Sequence, residues 1–149
     1  GKNFTGANFG RIPDASHLGL GGTFTIELWF KVDRLVSTWA GILGKSTSST
    51  GGRNFTLWLH SDGHLNFSYH NASNAEIHVE TQPGTISLGK WHHVAAVLDV
   101  PNTIMKIYLD GMEAASGMPG GYGVSSTEVT RPSRSSIGTR STALCAICA

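Results

Sequence analysis

Trp91-His92-His93-Val94-Ala95-Ala96-Val97-Leu98-Asp99, a break at Val100-Pro101-Asn102-Thr103, then Met105-Lys106-Ile107-Tyr108-Leu109-Asp110-Gly111, is the stretch that decides the fold. Two β-prone runs flank a turn-forming tetrapeptide, which is the pattern of a hairpin. The first run is apolar at every position from Val94 to Leu98, as expected of a strand covered on both faces in the middle of a sandwich or barrel. The second alternates Met105, Ile107 and Leu109 with Lys106, Tyr108 and Asp110, and stops at Asp110-Gly111, a tight-turn signal.

Working outward, the 24–32 run has the clearest two-residue period. Phe24, Ile26, Leu28, Phe30 and Val32 fall on one face, Thr25, Glu27, Trp29 and Lys31 on the other, and the first set reads as core. A second hairpin spans 54–70. Facing residues must share a side of the sheet, so Leu59 pairs with Leu65, and Ser61-Asp62-Gly63 becomes a three-residue loop with Gly63 in the left-handed region. This register sends Phe55, Leu57, Leu59, Leu65, Phe67 and Tyr69 inward. It turns Thr56, Trp58, His60, His64, Asn66 and Ser68 outward. Shorter strands are expected at 41–45, 77–80, 112–115 and 135–138, and a Gly/Ser/Pro-rich loop over 116–134. No window carries apolar residues at helical spacing for three turns, so helix is not expected.

Three separated motifs resemble the laminin-G-like family of the concanavalin-A-like superfamily. They are Phe4-Thr5-Gly6 followed by Ile12-Pro13-Asp14 and Leu18-Gly19-Leu20, then Phe24-Thr25-Ile26-Glu27-Leu28-Trp29, and Trp91-His92-His93-Val94-Ala95 with Tyr108-Leu109-Asp110-Gly111. The resemblance implies an all-β, two-sheet antiparallel jelly-roll sandwich. It also implies a non-catalytic extracellular module that recognises glycans or protein partners. The domain is expected over 1–140, with 141–149 a Cys-containing tail. Some family members bind calcium through acidic groups near the start of the domain. Thr5 stands where the family often has Asp, which argues against a metal there, and no cofactor is expected. His92 and His93 belong to the structural signature, with His93 expected in or near the core. The family also closes with an acidic strand. Here Thr139 to Cys145 stands in its place, so a truncated chain, a stand-in by Leu144 to Cys148, and a strand from a neighbouring chain are all open.

Composition narrows the function. The 149 residues suffice for one domain with a real core, and a net charge of +1 without a basic stripe excludes nucleic acid as a partner. No apolar run reaches membrane-spanning length. Asn3, Asn54, Asn66 and Asn71 each begin an Asn-x-Ser/Thr acceptor, more than chance supplies, which points to a secreted or cell-surface glycoprotein. Cys145 and Cys148 form a CxxC without further zinc ligands and without the βαβ context of a redox motif. A structural disulfide is expected, within the pair, to chain beyond this sequence, or to a neighbouring subunit.

For chemistry, the outward face of the 54–70 hairpin gathers Trp58, His60, His64 and Asn66, a carbohydrate-binding pattern of aromatic platform and flanking polar groups. A glycan on Asn66 would instead lie across Trp58. Trp29 is a second candidate platform, against which stands coverage by a loop or edge. His60 and His64 alone, two imidazoles without a carboxylate, do not make a metal site. Glu76 and Glu80 bracket His78 but lack the Glu-x-Asp-x-x-Glu pattern of the superfamily's glycanases, so catalysis is not expected. The alternative function is a structural subunit of an extracellular filament or appendage assembled from identical chains. A glycan-cleaving enzyme ranks third.

Overall fold

The computed structural model describes residues 23–35, 38–46, 53–70, 75–117 and 143–144. These form nine strands and, among the described residues, no helix. The strands are β1 (Phe24–Lys31), β2 (Trp39–Ser46), β3 (Arg53–His60), β4 (Leu65–His70), β5 (Glu76–Glu80), β6 (Trp91–Asp99), β7 (Ile104–Leu109), β8 (Met112–Gly117) and β9 (Ala143–Leu144). They make two antiparallel sheets, β8-β7-β6-β1-β9 and β2-β3-β4-β5. This is the two-sheet sandwich expected from the sequence. The expected strand at 135–138 and the sequence signatures before Thr23 lie outside the described residues.

Alternation builds the core. In β1, Phe24, Ile26, Leu28 and Phe30 are buried while Thr25, Glu27 and Trp29 are exposed. In β6, His92, Val94, Ala96 and Leu98 point inward, and in β7 Met105, Ile107 and Leu109 do. From the other sheet Phe55, Leu57, Leu59, Leu65, Phe67 and Tyr69 meet them. Phe24 sits at the join, its ring centroid 5.4 Å from that of Phe55 and 6.3 Å from that of Phe67. Burial of this apolar area from both inner faces is the dominant favourable term, at roughly 25 cal/mol per Å².

The β3–β4 register is the expected one, with Leu59 opposite Leu65, Trp58 opposite Asn66 and Thr56 opposite Ser68. Gly63 has φ +84°, and the His60 amide donates to the His64 carbonyl across the loop. A second loop clasps this one: the Gly84 amide donates to Asp62 O and the Ile86 amide to Gly63 O.

Two expectations are corrected. β6 lies in the interior of its sheet, but its second face is half-buried at His93, Ala95 and Val97 instead of fully covered. Conversely, the outward side of the β3–β4 hairpin is not fully exposed: Thr56, Asn66 and Ser68 are buried. Gly44 stands opposite Thr56, where an added Cβ would fall 2.7 Å from Thr56 Cγ2. That close approach helps cover a Thr56–Ser68 hydroxyl pair 2.7 Å apart. Ala143 and Leu144, read from the sequence as tail, pair with Phe30 and Trp29 of β1 and occupy the position beside the first strand.

The hairpin that decided the fold is pinned by one carboxylate. Asp110, at φ 51° in the β7–β8 turn, bonds His92 Nδ1 through Oδ2 (2.8 Å) and accepts from the His93 amide through Oδ1 (2.8 Å). His92 is the buried member of the His-His pair and its Nε2 lies 3.2 Å from Ser87 O; His93 is half-buried. Partial burial raises the Asp110 carboxyl, but its bonds to His92 and the His93 amide outweigh that and hold it below its ordinary 3.8. A carboxyl lowered in the fold contributes stability that is fully present above the unfolded value and is lost as pH falls through the folded one. Asp110→Asn, which tolerates the left-handed backbone, should therefore flatten the acid limb of the stability curve below about pH 4. Urea midpoints measured across that range check this, and an unchanged acid limb would contradict the pin.

Candidate functional site

The outer face of the four-stranded sheet carries a cleft of about 340 Å³, lined by Trp39, Trp58, Asn66, Glu76, His78 and Glu80. All four strands contribute. Trp39 opens β2, Trp58 stands on β3, Asn66 on β4, and Glu76, His78 and Glu80 follow the two-residue period of β5. Across the cleft Asn66 faces both Trp58 and Glu80 in register, so the three lie in one row. Gly41 of β2 is opposite Trp58.

The floor is a hydrogen-bonded layer. Asn66 Nδ2 donates to Glu80 Oε1 at 2.7 Å, and Asn66 is 6% exposed. The nitrogen to which an N-glycan would attach is thus engaged in the strand pair and turned away from solvent. This geometry argues against Asn66 as an acceptor and leaves Trp58 uncovered by a glycan from that position. Of the other acceptors, Asn3 and Asn71 lie outside the described residues, as do Cys145 and Cys148; Asn54 falls in β3, and its side chain is not among those described.

At one end of the cleft the β3–β4 loop groups more side chains. His60 Nδ1 and His64 Nδ1 lie 2.9 and 2.6 Å from the same oxygen, Asp62 Oδ1. The two imidazoles stack with centroids 4.6 Å apart. Trp39 packs on both, 4.6 Å from His60 and 5.3 Å from His64. The hydrogen bond from His60, with those of the His64 amide and ring, lowers the Asp62 carboxyl to about 2 against the opposing effect of desolvation.

Of the residues singled out from the sequence, Trp58, His60, His64 and Asn66 come together as expected, but in two parts: Trp58 and Asn66 in the cleft, His60 and His64 at its end. Trp29 is not with them. It projects from the outer face of the other sheet, 50% exposed and packed on His93 at 5.2 Å, so the expected cover by a loop or edge is not found among the described residues. Trp39, Asp62 and the wall formed by Glu76, His78 and Glu80 were missed as binding residues. The alternation of β5 was a usable signal. Trp39 gave none, because its nearness to His60 depends on the β2–β3 pairing, which includes bulges after Gly41 and Lys45.

The architecture and the polar, tryptophan-flanked cleft define the class: a lectin-like jelly-roll sandwich with a candidate sugar-sized groove on one sheet. The chain belongs to the Laminin_G_3 family of the concanavalin A-like lectin/glucanases superfamily, whose model matches residues 4–143. Among curated proteins none matches the sequence. Similar solved structures include the CBM40 of the Ruminococcus gnavus IT-sialidase bound to α2,6 sialyllactose (TM-score 0.64, 15% identity, 87% of this chain and 75% of that one). A native heptameric SAP-like pentraxin from Limulus polyphemus is also similar (TM-score 0.55, 16% identity, 95% and 70%). So is the NanB sialidase from Streptococcus pneumoniae, of which the chain covers 22% (TM-score 0.63, 18% identity, 96% of this chain). At these identities the likeness is one of fold.

The hydrogen-bonded floor has a measurable consequence. Glu80→Ala leaves the buried Asn66 amide without its carboxylate, and the protein should lose about 1–3 kcal/mol of stability in urea unfolding. A change below about 0.5 kcal/mol would mean that the pair contributes nothing net.

Proposed function

We propose that this chain is a non-catalytic glycan-binding module and that the outer cleft of the four-stranded sheet is its binding site. The observation that carries this reading is the cleft itself: two indoles, Trp39 and Trp58, on one side and a row of hydrogen-bonding groups, Asn66, His78, Glu76 and Glu80, on the other. Indole faces stack on the apolar faces of pyranose rings, and carboxylates and amides accept or donate to ring hydroxyls. Binding modules among the similar structures support the same reading. The neighbour's sialyllactose is not carried over, since the lining among the described residues has two carboxylates and no Lys or Arg. An anionic sugar would meet like charge, so the ligand class is a neutral oligosaccharide.

The use of the carboxylates supports the non-catalytic reading. Glu80 is tied to Asn66, and Glu76 and Glu80 lie four residues apart on an edge strand with His78 between them. We place the module outside the cell, where the sequence's Asn-x-Ser/Thr acceptors and its CxxC have their ordinary roles.

The test is a glycan array followed by calorimetry on the strongest ligand. Trp58→Ala and Trp39→Ala are expected each to weaken binding about tenfold or more, with unfolding midpoints little changed, while Trp29→Ala leaves affinity as it was. Equal affinity in all three variants would remove the cleft as the site. Cleavage of the ligand that disappears in Glu76→Gln or Glu80→Gln would replace binding with catalysis.

A further inference from the structure

The loop at the end of the cleft carries a second, independent feature. Among the described residues, His60, Asp62 and His64 form a group whose nitrogen and oxygen atoms all lie within 4.8 Å of one another. The sequence alone offered two histidines and no carboxylate. The three-residue turn supplies the carboxylate by folding Asp62 back between them. Two imidazole nitrogens and a carboxylate oxygen are the donor set of borderline divalent ions such as zinc, whereas calcium and magnesium take oxygen donors.

The hydrogen bonding around His64 adds a second observation. With no ion bound, His64 Nδ1 bonds Asp62 Oδ1 at 2.6 Å as a protonated nitrogen, while His60 Nδ1 lies between that oxygen and the Asp62 amide. In neutral His64 that tautomer leaves Nε2 as a bare lone pair. This nitrogen is buried and without a hydrogen-bond partner, and it lies 3.8 Å from Glu80 Oε1, so a lone pair faces a carboxylate. An ion on Nδ1 shifts the ring proton to Nε2, where it points at Glu80. Metal-bound histidines ordinarily use such a carboxylate to fix ring and tautomer. One ion thus takes the place of the His64 proton on Nδ1 and gives the buried nitrogen a partner. The nitrogens, now 2.9 and 2.6 Å from Asp62 Oδ1, need to move out toward the roughly 3.3 Å spacing of donors around a tetrahedral zinc at about 2.0–2.1 Å. The stacked rings need to turn apart so that both lone pairs meet the ion.

We propose that His60 and His64, through Nδ1, and Asp62, through its carboxylate, bind one divalent transition-metal ion of the zinc class, with Glu80 orienting His64. Trp39, its ring centroid 4.6 Å from that of His60, is a built-in optical reporter of the site.

The test is calorimetric titration of the full chain with zinc alone, run on the Cys145→Ser, Cys148→Ser variant beside the parent so that thiolates do not contribute. One equivalent is expected to bind the serine variant with micromolar affinity. His60→Asn and His64→Asn in that background should each weaken it by more than about tenfold. Circular dichroism checks the fold, and His60→Asn, at the less buried of the two histidines, decides if His64→Asn does not fold. Copper(II) should quench a saturable share of the tryptophan fluorescence at one equivalent, and Trp39→Phe should remove that share. No saturable zinc binding in the serine variant, or binding that the histidine variants leave unchanged, would overturn the proposal.

Discussion

Everything in this molecule depends on the contact between the inner faces of its two sheets. A strand offers its side chains alternately to the two sides, so once Phe24 is set against Phe55 and Phe67, the opposite side of every strand is decided as well. A slip of one residue in β3 would carry Leu57 and Leu59 out to solvent and Trp58 into the core. The cleft is thus a consequence of the core: Trp58 and Asn66 face outward together because Leu57, Leu59, Leu65 and Phe67 face inward together.

The four-stranded sheet has a second layer of order on its outer side. Thr56 pairs its hydroxyl with that of Ser68, and Asn66 Nδ2 donates to Glu80, sideways along the sheet, where unpaired polar atoms are costly. Asn66 Oδ1 is buried there without a hydrogen-bond partner among the described residues. This layer forms the cleft floor. It also engages Glu80, which then serves Asn66 and stands beside His64. At the far side of the sandwich the Asp110 carboxylate does a comparable job for the decisive hairpin, fixing the His92 ring and the His93 amide at once.

Much of this was legible in the sequence, for an identifiable reason. The inner face of β1, the Leu59–Leu65 register and the left-handed Gly63 all follow from a two-residue period plus a local turn, which are properties of neighbouring residues. What was not legible depends on pairings between distant segments. Trp39 meets His60 only because β2 adds to β3 with two bulges, and Asn66 reaches Glu80 only because β5 adds to β4. The burial of Thr56, Asn66 and Ser68 is an effect of those same additions, so an outward position was mistaken for an exposed one. Asp62 was hidden differently: it was read as a turn residue, and its side chain proved to be the centre of the loop. Trp29 shows the converse, an outward indole on the correct face of its own strand but on the wrong sheet for the cleft.

The most direct test of a binding cleft on the four-stranded sheet uses the four indoles as position markers. In a two-dimensional NMR titration of the isotope-labelled full chain with its strongest neutral oligosaccharide ligand, each tryptophan gives its own indole N–H signal. The account predicts that the signals of Trp39 and Trp58 move with saturation while those of Trp29 and Trp91 stay in place. Movement of Trp29 or Trp91 with Trp39 and Trp58 unchanged would put the site on the other sheet and contradict it.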